Sequence, residues 1–424
     1  MNGASTTRDV KVGAAFRRSG WMARVAFIIG VLGPGVITAN VDNDAGGIAT
    51  YTLAGAHFGF ALLWTIPLLA AILGLAQVLS ARMAVATGKG FAELTRENCG
   101  IKVTFWLMLV LVANDCGNMV ANFAGIAAAA QLFHIPKYAS VPAAGAFVWW
   151  LVTQGDYKRI ERVFLVACLF YVSYFASSYL VHPDWFEVAR AVVVPEIHWT
   201  REYWLLLIGL IGATIAPWQL YVQQAMTVEK GLKVEDYWLA RLDAVIGSVA
   251  SMVVVLFIIV ACAVTLHPKG IRVETAAQAA EALRPLAGPY CAALFGFDLL
   301  NASVIAACVL ALSATYTLCG SLGWEMGLDL SFKEAPQFYF LYSFLIATGG
   351  IIVLWPGFPL LRVMFWTQVL NGLVLPVVLW LQIYLSDSRD VMGDMASSGF
   401  LRVGAWSIAG CMTVLSALSL VSIW

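Results

Sequence analysis

Charge is what this sequence has least of. Only 12% of its 424 residues are Asp, Glu, Lys or Arg, against about 25% in an ordinary soluble protein, and that shortage excludes most soluble readings. Neither sign dominates. With 25 basic and 25 acidic residues, nothing points to a nucleic acid or a polyanionic partner. Histidine is scarce, and none of the five (His57, His134, His182, His198, His267) falls in the middle of an apolar run. The eight cysteines (Cys99, Cys116, Cys168, Cys262, Cys291, Cys308, Cys319, Cys411) lack CxxC spacing and lie mostly inside apolar stretches. They read as buried thiols, not as a disulfide frame or a metal cluster. The absence of Ser/His, HExxH and phosphate-loop patterns argues against an enzyme.

Apolar residues are abundant: 61% of the chain, with a mean hydropathy of +0.82. That is about 259 positions, enough for roughly eleven to thirteen membrane spans of about 20 residues. Apolar runs fall near 25–60, 61–81, 104–133, 139–154, 162–181, 203–227, 242–266, 289–323, 336–355, 359–385 and 400–423. These predict an all-α membrane protein of eleven transmembrane helices. No Pro/Ser/Gly-rich linker divides it, so residues 25–424 read as one transporter-sized domain behind a cytoplasmic segment, 1–24. That segment carries Arg8, Lys11, Arg17, Arg18 and Arg24 with no cleavage site close behind, which fits a retained inner terminus. With the N-terminus inside, the outer side keeps only Lys137, Arg190, Arg201, Lys269, Arg272, Arg284 and Arg362, and the other eighteen basic residues lie inside. The positive-inside rule is met, and an odd span count puts the C-terminus outside the cell membrane. Residues 271–285 are Ala-rich but too charged to span, and are expected as a short outer amphipathic helix.

Two spans are interrupted. The first run contains Ala39-Asn40-Val41-Asp42-Asn43-Asp44-Ala45-Gly46-Gly47-Ile48, residue types that favour turns and caps over helix interior. Two acids and two asparagines at mid-membrane must line a polar cavity or be buried in protein, unless the segment is a hairpin between two full spans. Five spans later comes Gly212-Ala213-Thr214-Ile215-Ala216-Pro217-Trp218, where glycine weakens the helix and proline removes a donor. A proline kink alone is ordinary. Paired breaks at matching places in two five-span halves, about 25–181 and 203–385, point to an inverted-repeat transporter with its substrate site between them. The eleventh span, about 400–423, would then be peripheral.

At these residues the sequence resembles the natural resistance-associated macrophage protein (Nramp) family of divalent-metal transporters. The stretch from Gly33-Pro34-Gly35 to Ala56, with Asp44-Ala45-Gly46-Gly47, is similar to the family's first helix, whose break usually reads Asp-Pro-Gly-Asn. The stretch Gly212 to Trp218 is similar to its sixth, usually Gly-Ala-Thr-x-Met-Pro-His. Weaker similarity runs through Thr317–Gly323 and through Thr367-Gln368-Val369 and Leu375-Pro376. The resemblance implies a LeuT-like five-plus-five inverted repeat with broken helices one and six. It also implies a metal site at Asp44, at the Asn position Gly47, at the carbonyl position Ala213, at the Met position Ala216, and at Gln368, where a family glutamine approaches the metal. Asp44 is otherwise a helix-breaking cap. Asp42, Asn43 and Thr214 cap the half-helices or hold water near the ion. Trp218 stands at the break, where it is expected at an inner gate. Asn371, one turn after Gln368, faces the same side, with an interhelical hydrogen bond as the alternative for both. Asp115 and Asn118 line an inner aqueous path or make a buried polar contact, and so do Asp298 and Asn301. Asp243 and Glu325 read as solvated anchors.

The departures concern substrate and coupling. Without the family's methionine sulfur the site is left with oxygen donors, which suit hard cations. Without the asparagine there is room for the water that Mg²⁺ keeps. That pattern resembles the Nramp-related magnesium transporters, with Mn²⁺ also expected as substrate. The family's histidine after the sixth-helix proline is Trp218, and a second His position is Gln223. On the third span Asp115 keeps one acidic position, but the next two are Asn122 and Gly125. Tryptophan and glycine cannot relay protons. Uptake without proton coupling is expected, driven by gradient and potential, since two charges moving inward gain about 4.6 kcal/mol per 100 mV. No cofactor and no obligatory protein partner are expected beyond the cation and the bilayer. The alternatives are a proton-coupled Mn²⁺/Fe²⁺ carrier, an amino-acid carrier, whose carboxylate Asp44 would repel, and a metal-sensing membrane receptor.

Overall fold

The computed structural model describes residues 41–153, 179–180, 182–284, 288–327, 330–397 and 399–423. Segment 1–24, the first half of the first span with Gly33-Pro34-Gly35, nearly all of the fifth span and Cys168 lie outside the described residues. Every regular element within them is helical: α1 (Ala45–Phe58), α2 (Thr65–Thr87), α3 (Phe91–Leu132), α4 (Lys137–Thr153), α5 (Trp185–Val193), α6 (Arg201–Thr214), α7 (Pro217–Glu229), α8 (Tyr237–Thr265), α9 (Ala276–Ala280), α10 (Cys291–Leu322), α11 (Pro336–Val353), α12 (Leu360–Asp387) and α13 (Gly399–Ile423). Eight of the described helical stretches are long and apolar enough to cross a membrane, counting α6 and α7 as one. α4 follows the expected fourth span but runs for only 17 residues.

The half-helices form the centre. α1 packs on α8, α12 and α6, and α7 packs on α2 and α10, while α3 runs along α10 and α12. The α6–α7 stretch is the most deeply buried of the eight, with 94% of its apolar window inside the protein, whereas only 28% is buried in the stretch within α13. α13 leans on α12 and α6, at the edge expected of the eleventh span. Large apolar side chains such as Ile101, Phe105, Trp106, Trp150, Phe340 and Val421 are exposed, as a lipid-facing surface requires.

Several expectations are corrected in detail. The third apolar run, expected near 104–133, matches the part of α3 after Gly100, and a short helix from Phe91 precedes it, the two meeting at Gly100 with φ +78°. Of segment 271–285, the described residues 271–284 form a single α-turn, α9, followed by a 3₁₀ turn, Glu281–Leu283. Ala279, Ala280, Ala282 and Leu283 are buried against the protein, because small residues at this spacing seat closely on α10. Asp243 is buried rather than a solvated anchor, while Glu325 is exposed as expected. The seven described cysteines are free thiols.

Candidate functional site

The first break is local. Val41 is helical, residues 42–44 are not, and helix resumes at Ala45. Asp44 ends the interruption by capping α1: its backbone is extended (φ −74°, ψ −174°) and its Oδ1 accepts the Gly47 amide at 2.7 Å. The second carboxylate oxygen, Oδ2, accepts Asn122 Nδ2 at 3.0 Å. Asn122 also receives the Ala45 amide on its Oδ1 at 3.3 Å, so one side chain of α3 holds both sides of the cap. Asp44 is therefore a cap, and a carboxylate with about four lone-pair directions keeps acceptor capacity beyond these bonds.

The second break has a different cause. α6 stops at Thr214, Ile215 takes φ −133° and ψ 77°, Ala216 is extended (φ −78°, ψ 142°), and Pro217 opens α7. Proline is tolerated at a first helical position and not within a helix. The freed Ala213 carbonyl accepts the Tyr51 hydroxyl at 2.8 Å, and Thr214 Oγ1 donates back to the Leu210 carbonyl at 2.8 Å. The Ala216 amide donates to the Asp42 carboxylate, whose Oδ2 has no hydrogen-bond partner. The two breaks thus face each other, joined by Tyr51 and Asp42 from one side and backbone groups from the other.

A third element closes the site. The Gln368 side chain of α12 lies on Gly46 so closely that a Cβ there would overlap its amide nitrogen. Its Oε1 accepts Asn371 Nδ2 at 2.8 Å, while Nε2 has no partner. Asn371 Oδ1 in turn accepts Asn114 Nδ2 at 2.7 Å and Asn118 Nδ2 at 2.8 Å. Asn371 therefore makes the interhelical bond, and Gln368 lies against the break at Gly46. At the Asn position, a Cβ on Gly47 would overlap the Asp42 carbonyl oxygen at 2.5 Å and stand 3.5 Å from Asp44 Oδ1, so the backbone of the break itself requires glycine there. At Gly125 a Cβ would overlap Ala45 and Ser303, and no acidic side chain fits there without movement of its neighbours.

Other expected residues lie elsewhere. Asn43 points to α8, its Nδ2 donating to Ser251 Oγ at 3.3 Å. Trp218 is buried in the first turn of α7, its carbonyl accepting Ser313 Oγ at 3.0 Å. Asp115 and Asp298 are buried, and Asn301 is half-buried. The sequence reading missed Tyr51 and Asn114 and took Asn122 only as a lost acid. The signal for the asparagines was available: Asn114, Asn118 and Asn122 recur every fourth residue, one stripe of a helix.

The electrostatics are one-sided. Among the described residues the buried charged side chains are Asp42, Asp44, Asp115, Asp243 and Asp298, with no Lys, Arg or His in that class. Nor do the described residues gather three or more His, Cys, Asp or Glu around a point where a metal could be fully wrapped. The arrangement offers carboxylate, carbonyl and amide oxygens at two backbone breaks, a set suited to a hard cation that retains water.

Comparison with known proteins agrees with this geometry. Relatives include the divalent metal cation transporter MntH of Acidiphilium cryptum, 26% identical over 413 residues and covering 94% of this chain and 90% of that protein. The MntH of Deinococcus radiodurans is 27% identical over 417 residues, covering 95% and 92%. Among solved structures, the Eremococcus coleocola manganese transporter superposes with a TM-score of 0.78 at 19% identity, covering 95% of this chain and 88% of that one. MhsT in complex with L-phenylalanine gives 0.59 at 14% identity, covering 96% and 100%. These structures share the fold, a LeuT-like helical bundle with broken helices one and six. Residues 35–422 match the family described as natural resistance-associated macrophage protein-like, and the chain belongs to that family.

Proposed function

We propose that the protein is a secondary transporter that imports divalent cations, Mg²⁺ foremost and Mn²⁺ with it, by alternating access and without proton coupling. The observation that carries this reading is the pair of aspartates at the first break. Asp42 and Asp44 are buried, sit close enough to interact electrostatically, and have no basic side chain in the buried class to neutralise them. A divalent cation does so, with Asp44 as the principal ligand, Asp42 reaching it directly or through water, and Gln368 offering its amide oxygen after a half-turn of that amide. The Ala213 carbonyl shares its lone pairs with Tyr51 and the ion. Gly47 and Ala216 offer only backbone where the family has Asn and Met, and an ion with fewer side-chain donors keeps more of its water. The cation is cargo and no cofactor is involved. The cell membrane is the expected location, with the N-terminus cytoplasmic, the C-terminus outside, and repeats at about 25–181 and 203–385.

A second reading, a proton-coupled Mn²⁺ carrier, draws support from the MntH relatives and from Asp115, a buried carboxylate. Proteoliposomes with an internal pH probe separate the two. Mg²⁺ uptake is expected with constant internal pH, and Asp44→Ala is expected to abolish it. Proton movement in fixed ratio to metal would overturn the uncoupled reading, and wild-type uptake by Asp44→Ala would overturn the site itself.

A further inference from the structure

An ion released from the breaks has to cross more protein before it reaches the far face, and α3 carries a second unexplained carboxylate on that route. Asp115 lies seven residues before Asn122, about 10 Å along the helix axis, toward the end of α3 that begins at Phe91. It is 2% exposed, and neither of its carboxylate oxygens has a hydrogen-bond partner. On α7, which packs against α3, Tyr221 is 3% exposed and its hydroxyl has no partner either. Tyr221 also lines a cavity of about 100 Å³ shared with Glu93, Glu229, Tyr316 and Met326. There Glu93 accepts the Gly90 amide at 2.9 Å and Glu229 accepts the Tyr316 hydroxyl.

Buried polar groups are almost always hydrogen-bonded, and leaving one unsatisfied costs about 1–3 kcal/mol, more for a charge. Three oxygens on two adjoining helices are in that condition. Protonating Asp115 resolves it only in part: the neutral acid can donate to the Tyr221 oxygen, but its own carbonyl oxygen then still lacks a donor. A hydrated cation resolves all three: its charge meets the carboxylate, and its water donates to the carboxylate and to the phenol oxygen.

We infer that Asp115 and Tyr221 form a second cation site, a relay between the breaks and the Glu93/Glu229 cavity, which takes a divalent ion with water still attached. The inference rests on the proposed transport of a divalent cation. One carboxylate and one phenol bind such an ion weakly, as a relay requires, since an ion held tightly here would not move on.

The test uses the full-length protein and Mn²⁺ as the probe, because bound Mn²⁺ is read directly by electron paramagnetic resonance. Wild type is expected to bind two ions per chain, Asp44→Ala one weaker ion, and Asp44→Ala/Asp115→Asn none. In liposomes Asp115→Asn is expected to lower the maximal uptake rate about tenfold with KM changed less than about twofold, the mark of a step after binding, and Asp115→Glu to restore it. In the Asp44→Ala background, Tyr221→Phe, which removes a single oxygen, is expected to weaken the remaining ion. One ion in wild type with none in Asp44→Ala would overturn the relay, and so would undiminished uptake by Asp115→Asn or an unchanged second ion in Tyr221→Phe. Failure of the transport reading looks different: wild type would then take up no Mn²⁺ at all.

Discussion

A carboxylate taken out of water without a cation beside it costs several kcal/mol, and on the proposed function residue 216 is where the choice of cation at Asp44 can be tested. Ala216 is buried, extended and tied to Asp42 through its amide, which places residue 216 at the break beside the carboxylates. Ala216→Met adds a polarisable thioether, a soft ligand, to an otherwise hard site. The expected result is a shift of the Cd²⁺ to Mg²⁺ uptake ratio by about an order of magnitude toward Cd²⁺, equivalent to about 1.4 kcal/mol. Parallel flux assays with the two ions check it, and an unchanged ratio would remove residue 216 from the selectivity argument. Much of this site was legible beforehand, because Asp44 and Gln368 stand at recognisable positions and lie close to the break here. Tyr51 was not, since a tyrosine in an apolar run carries no mark of the carbonyl it serves 162 positions away. Asn122 was half legible. Its departure from an acid could be read, but its two hydrogen bonds, donated to Asp44 and accepted from the Ala45 amide, depend on how α3 sits against α1.

At the scale of elements, the site exists because α6 and α12 approach at backbone distance. A Cβ on Gly212 would overlap the Gln368 carbonyl and Gly372, and one on Gly372 would overlap the Ile208 carbonyl. The two glycines therefore serve a helix crossing more than a hinge, a packing mode that membrane helices use because small residues let backbones meet. Gly212→Val forces α6 away from Gln368 and is expected to cost about 1–3 kcal/mol as an overpacked contact. The melting temperature in detergent should fall, and Mg²⁺ uptake with it. Gly404→Val on α13, where a new Cβ meets nothing within 4 Å, is the control expected to leave both unchanged. The helices themselves were largely legible from hydropathy, and the two breaks from their turn-forming residues. The ends were less so: the start of α3 turned on the backbone of Gly100, and the 271–285 segment on close packing that its Ala-rich pattern only partly conveyed.

For the whole molecule, the decisive property is that the buried charged groups among the described residues are all acidic. An interior of that kind attracts cations into the membrane plane. If a divalent ion crosses alone, the potential at which flux vanishes has to follow the Mg²⁺ gradient with two charges per event, about 30 mV per tenfold gradient, and has to ignore the pH gradient. Proton co-transport would add its own charge and make that potential move with pH at constant Mg²⁺. Flux measured in proteoliposomes clamped by potassium gradients, at two internal pH values, distinguishes these directly. A zero-flux potential that is independent of pH is the expected outcome, because the positions that would carry protons on α3 are Asn122, which is committed to Asp44, and Gly125, where Ala45 and Ser303 already fill the space. Asp115 alone retains an ionisable group there, so a residual pH effect that vanished in Asp115→Asn would assign it to that residue and turn the relay from a cation step into a proton step.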